Sequence, residues 1–168
     1  MKNMDRTQQL SVRPGQAGDV ARLAEIYAAA RRYMRANGNF SQWSDSYPSA
    51  ATARADIAEG WCHVVEAGGR VVGTFCLMTA AEPTYSALED AADVPYVTIH
   101  RIASDGSAGG IFEAAMRYVR SMYGCDIRID THADNRLMLD AIRRQGFSFA
   151  GEITLADGSP RLAFRLKP

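Results

Sequence analysis

The chain is 168 residues long, the size of one ordinary domain, and 19 Lys and Arg balance 19 Asp and Glu for a formal charge of zero. That balance excludes the basic excess of a nucleic-acid-coating protein or a polybasic membrane-surface protein, so neither nucleic acid nor membrane is an expected partner. With 47% apolar residues, the chain can fill a core and is not intrinsically disordered.

The N-terminal stretch to Leu10 is polar and lacks the apolar core of a secretory signal, and no run reaches the roughly 18 to 20 apolar residues of a membrane span, so the cytoplasm is the expected compartment. Leu10, Val12 and Pro14 predict a short strand. Val20, Leu23, Ile26, Tyr27, Ala30 and Met34 then recur at helical spacing, with Asp19 in the first turn and Arg31, Arg32 and Arg35 near the end, matching the helix dipole. Gly38 stops that helix. Phe40, Trp43 and Tyr47 sit among Gly, Asn, Ser and Asp in a loop, after which Ser49 offers an N-cap for a short helix reaching Gly60. Trp61 to Glu66 and Val71 to Thr79 read as a hairpin across Gly68 and Gly69. A less patterned segment follows with Pro83, Tyr85 and the acidic Glu89, Asp90 and Asp93, the last three read as a solvated patch in preference to an attractor for cationic amines.

Tyr96 to Ala103 predicts a strand that runs into Ser104-Asp105-Gly106-Ser107-Ala108-Gly109-Gly110 and then a helix with Ile111, Ala115 and Met122 on one face. Ile127 and Ile129 mark another strand. Asp134 can cap a helix bearing Leu137, Met138, Ala141 and Ile142, with Asn135 as the other candidate cap and Gly146 as its stop. Two strands joined through Asp157-Gly158 finish the chain. The order β-α-α-β-β-β-α-β-α-β-β describes one domain over residues 1–168, an α/β fold with a mixed sheet and helices on its faces. Cys62, Cys76 and Cys125 have no metal-ligand spacing and read as reduced packing residues; no metal is expected.

Two segments gather chemistry. Backbone amides of a Gly- and Ser-rich turn at a helix N-terminus can converge on a phosphate; the turn from Ser104 to Gly110 has that form, although it is neither a P-loop nor a dinucleotide fingerprint. Asp130, His132 and Asn135 fall at the C-terminal edge of a strand, where ligands of α/β sheets collect, and His100 lies near the end of the preceding strand.

These residues carry a resemblance. Tyr96 to Phe147 resembles the acyl-CoA-binding half of the GNAT superfamily of N-acetyltransferases. Gln42-Trp43, Tyr47-Pro48, His100-Arg101-Ile102-Ala103-Ser104, Asp130-Thr131-His132, Asp134-Asn135, Met138 and Gly146-Phe147 with Gly151 resemble a bacterial group of that superfamily with poorly defined substrates. The resemblance implies a central, mostly antiparallel mixed sheet with one splayed parallel strand pair, and acetyl-CoA as co-substrate in the splay. Pantetheine would pair with the backbone of Ile102, Ala103 and Ser104. The pyrophosphate would sit on the amides of Ser107, Ala108, Gly109, Gly110 and Ile111, and Asn135 would contact pantetheine or a bridging water. Three positions depart from the family pattern: Ser107 stands where the loop usually has a basic or amide first residue, Phe112 where a small residue is usual, and Ile142 where many members carry a Tyr acid.

The function this implies is transfer of an acetyl group to a primary amine of a small molecule or peptide. Thr98, His100 and Ile102 are expected on one strand face, with His100 as the general base; His132, oriented by Asp130, is the other candidate. Trp43, Tyr47 and Tyr85 are candidates for the acceptor pocket. The rival readings are a non-catalytic acyl-CoA-binding or regulatory module and a purely structural domain. The edge of the C-terminal hairpin is where a homodimer could pair.

Overall fold

The computed structural model describes residues 9–88 and 94–168. The expectation for Glu89, Asp90 and Asp93 lies outside them. Seven strands form one sheet: β1 (Leu10–Pro14), β2 (Cys62–Ala67), β3 (Arg70–Met78), β4 (Tyr96–Ser104), β5 (Asp126–Thr131), β6 (Ser148–Thr154) and β7 (Pro160–Leu166). Their spatial order is β1-β2-β3-β4-β5-β7-β6, and every neighbouring pair is antiparallel except β4 with β5. Four helices, α1 (Val20–Ala36), α2 (Ala50–Ala58), α3 (Ile111–Met122) and α4 (Arg136–Arg144), complete the expected order, with short 3-10 turns at Ala17–Asp19 and Pro83–Ala87.

The strand alternation divides the core between the two faces. On one, Val65, Phe75, Leu77, Ile99 and Ile129 pack against Ile111, Ala115, Met116 and Val119 of α3 and Leu139 and Ile142 of α4. On the other, Val64, Cys62 and Ala103 pack against Leu23, Ile26, Tyr27 and Ala30 of α1 and Ala53 of α2. Each large side chain fully withdrawn from water contributes on the order of 1.5–3 kcal/mol, which clamps the sheet between its helix pairs.

The structure chooses between the two candidate caps and departs from the sequence reading in β4. The cap of α4 is Asn135, whose side-chain oxygen accepts from the Met138 amide; Asp134 is equally capable chemically but sits one residue outside. In β4, His100 pairs with Cys76 and Ala103 with Thr74. Two residues of β4, Arg101 and Ile102, thus stand opposite Phe75 alone, a β-bulge with Arg101 at φ +49°. The extra residue reverses the alternation. Ile102 joins the α3 and α4 core while Ala103 joins the α1 and α2 core, so His100 and Ile102 do not share a face as an unbroken strand requires.

Candidate active site

β4 and β5 are paired only from Tyr96 opposite Asp126 to Ile99 opposite Ile129. Beyond that point β4 stays with β3 as far as Ser104, and β5 stays with β7 as far as Thr131. The two parallel strands therefore part at His100, and the side of β4 that faced β5 is left without a partner strand. A narrow cleft opens there, lined by Met34, Trp43, Ile99, Ile102 and Met138 together with the polar Gln42, His100, Arg101, Asp130 and Asn135.

His100 stands where the strands part, and its environment is anionic. Its Nε2 is 2.9 Å from Oε2 of Glu82, and its Nδ1 is 3.7 Å from Oδ2 of Asp130. Glu82 opens the 3-10 turn at Pro83, where its Oε1 also accepts from the amide and hydroxyl of Thr84. The hydrogen bond to His100 does most to hold the Glu82 carboxyl at about 2, against an ordinary value of 4.5. An ionised carboxylate only accepts, so Nε2 carries a proton, and in the neutral tautomer this leaves a lone pair at Nδ1. Sequence reading missed Glu82. An acidic residue before proline signals a turn and nothing ties it to a histidine 18 positions later.

Asp130 receives the Tyr85 hydroxyl at 2.6 Å. Tyr85 is wholly buried and packs with Ile153 and Ala163; burial first, then Asp130, pushes its phenol well above its ordinary value. Tyr85 thus supports Asp130 from below and does not reach the pocket as a substrate contact. The expected pairing of Asp130 with His132 is not made either. His132 Nδ1 accepts from the Asp134 amide in the turn before α4, because the chain bends away at the end of β5. Among the two histidines proposed as base, only His100 lines the cleft.

The loop between α1 and α2 forms the opposite wall. Trp43 is buried edge-on to Tyr27, with its ring also lining the cleft. Gln42 Oε1 accepts from Asn39 Nδ2 at 2.9 Å and Asn135 Nδ2 at 3.0 Å, tying this loop to the start of α4. The Gln42 carbonyl accepts from the buried Arg161. Tyr47 is 41% exposed, and its hydroxyl accepts from Arg101. Arg101 grips both Asp56 oxygens, at 3.0 and 2.6 Å, fastening the β4 bulge to α2.

The glycine-rich turn delivers β4 into α3, with Gly110 as a left-handed N-cap at φ +80°. Ser107 is less available than expected, since its amide and hydroxyl both donate to Asp105 Oδ1. Burial pushes the Asp105 carboxyl up, but Ser107 and Arg22 outweigh it and hold the group below its ordinary value. The amides of Ala108, Gly109, Gly110 and Ile111 have no acceptor among the described residues, the first inner bond of the helix running from Ala114 to the Gly110 carbonyl. An unpartnered strand edge at Ile102 to Ser104 followed by four free amides at a helix N-terminus fits an extended ligand ending in a pyrophosphate.

No protein-family model and no curated protein matches the chain. Solved structures do. A GNAT-family acetyltransferase from Streptococcus agalactiae superposes with a TM-score of 0.85 at 24% identity, over 96% of this chain and 97% of its own. One from Listeria monocytogenes gives 0.71 at 21% identity, over 95% of each chain. The yncA protein of Salmonella typhimurium, solved with its cofactor acetyl-CoA, gives 0.63 at 13% identity, over 95% of this chain and 94% of its own.

Proposed function

We propose, from the premise that this chain has the fold of the GNAT acetyltransferases, that it transfers an acetyl group from acetyl-CoA to a primary amine. The observation that carries this reading is the position of His100, oriented by Glu82, at the residue where the parallel pair opens.

The free edge of β4 at Ile102, Ala103 and Ser104 would hold the pantetheine arm, and the amides of Ala108 to Ile111 would hold the pyrophosphate. Acetyl-CoA, when bound, supplies the thioester whose carbonyl carbon is attacked. The chain's own part is to orient, shield and move a proton. Orientation within a closed cleft can be worth about 7 to 11 kcal/mol of the barrier. His100 Nδ1 takes a proton from the incoming ammonium while Glu82 steadies the imidazolium that results. In the balanced reaction a nitrogen–carbon bond forms and a carbon–sulfur bond breaks. Of the two protons the ammonium loses, one goes to His100 and then solvent, and the other ends on the departing sulfur.

The deciding experiment is titration of the protein with acetyl-CoA followed by thiol release across a panel of primary amines. Binding with amine-dependent release supports the proposal. Binding with no release under any amine reassigns the chain to the acyl-CoA-binding modules, and no binding removes both readings.

A further inference from the structure

We propose that the acceptor taken by this cleft is a small cationic amine with no carboxylate beside its nitrogen, held as its ammonium between Asp130 and Nδ1 of His100. This rests on the acetyl-transfer reading for the fate of the amine, though not for its binding.

The argument is one of unmatched charge. Elsewhere in the described structure, shielded carboxylates are each met by an arginine: Asp19 and Glu66 by Arg13, Asp56 by Arg101, Asp105 by Arg22, and Asp126 by Arg165. Glu82 and Asp130 have side chains only 14% and 10% exposed, and among the described residues neither has a Lys or Arg within ion-pair distance. Their shared neighbour is His100. With the imidazole neutral, as a base must be, the two carboxylates carry two negative charges, and the charge of the nearby Arg161 leaves the group one cation short. Shielded carboxylates are costly without one.

The geometry offers it a seat. Asp130 Oδ2, which also accepts from the Tyr85 hydroxyl and keeps a second lone pair, lies 3.7 Å from His100 Nδ1 at the cleft wall, a gap that two N–H bonds of one ammonium can span, one to each. Placing the charge on Asp130 also puts the proton to be lost against the base that receives it. A carboxylate next to the reacting nitrogen finds no such welcome. Arg101, the cation lining the cleft, is committed to both Asp56 oxygens. Arg161, the nearby guanidinium whose charge Asp130 feels, is 6% exposed and turned toward Ser159, Pro160 and the Gln42 carbonyl. The rest of the wall, Met34, Trp43 and Ile102, suits an apolar carbon chain.

3-Methylbutylamine and L-leucine differ only by that carboxylate and make the test. Isothermal titration of each into the full chain, without acetyl-CoA, should give at least tenfold tighter binding of the amine. Asp130→Asn, checked for an unchanged circular dichroism spectrum, should weaken the amine at least tenfold and leave leucine's weak binding unmoved. Equal or tighter binding of leucine, or no binding of the amine, overturns the inference on the wild-type chain alone, whether or not the variant folds. An affinity for the amine unaffected by Asp130→Asn overturns it too. If the amine binds as expected but neither it nor any amine of the panel releases thiol with acetyl-CoA present, this inference stands and the acetyl-transfer reading falls.

Discussion

Glu82 and His100 meet at 2.9 Å across 18 residues of sequence, one from a 3-10 turn and the other from the residue at which β4 leaves β5. On the proposed role of His100 as base, His100→Ala should lower kcat by roughly 10²–10⁴ with acetyl-CoA affinity unchanged. Glu82→Gln keeps the shape but not the charge; it should lower kcat by about 10-fold or more with little change in KM, and Glu82→Asp should restore part of the loss. Steady-state thiol release with 3-methylbutylamine measures all three, and equal KM increases in each variant would mark a packing role instead.

The same carboxylate makes stability depend on acid. The Glu82 pKa is depressed in the folded chain to about 2 from 4.5, so its contribution is complete above pH 4.5 and is lost as pH falls toward 2. Wild type should therefore lose more stability than Glu82→Gln over that interval. Urea midpoints at pH 5, 4 and 3 provide the check, and parallel curves would contradict it.

Arg101 and Asp56 form a shielded bidentate pair, with side chains 19% and 8% exposed. Removing either partner strands the other. Arg101→Ala and Asp56→Ala should each cost on the order of 3 kcal/mol, and the double variant much less than their sum, because the stranded charge is then gone. Chemical denaturation of the four proteins gives the coupling, and strict additivity would refute the pairing.

Gly73 sits opposite Ser104 beneath the start of α3, where an added Cβ would meet Ile111 Cγ2 at 2.7 Å and the Ala103 carbonyl at 3.1 Å. Gly73→Ala should cost about 1–3 kcal/mol through overpacking. Ile111→Ala in the same chain should relieve part of the crowding, read as a smaller Tm drop for the double variant than for the sum of the singles.

The turn before α3 contributes amides, not charge. Gly109 is at an ordinary φ with nothing within 4 Å of an added Cβ, so Gly109→Ala should bind acetyl-CoA as wild type does. Gly109→Pro removes one amide and restricts Ala108 to extended backbone, and should weaken binding at least tenfold by titration. Equal affinities would detach the pyrophosphate from this turn.

Much of this was readable in the chain. The helical spacing from Val20 to Met34 and the β-branched runs around Gly68-Gly69 are local patterns, and α1, β2 and β3 follow them. The place where β4 and β5 part is a long-range event, and only the resemblance of His100 to Ser104 and of Asn135 to a known family pointed to it. Tyr85 is expected at the acceptor pocket because an aromatic in a poorly patterned segment suggests a lining side chain, whereas the 3-10 turn buries it against Asp130. His132 and Asp130 are two apart, a spacing that suggests a shared side, but the strand ends between them. Glu82 had no local signal beyond a turn.

The bulge at Arg101 acts as a phase shifter in β4. The strand is read in one register up to His100 and in the opposite one from Ile102 onward, so a single strand serves two tenants: an imidazole on the cleft wall before the shift, and after it an apolar contact with α3 and a free edge leading to the turn. Deleting one residue there would do more than shorten the strand. It would exchange inside for outside along every position from Ile102 to Ser104, and restoring function would require inserting one residue within a few positions of the gap, whatever its side chain.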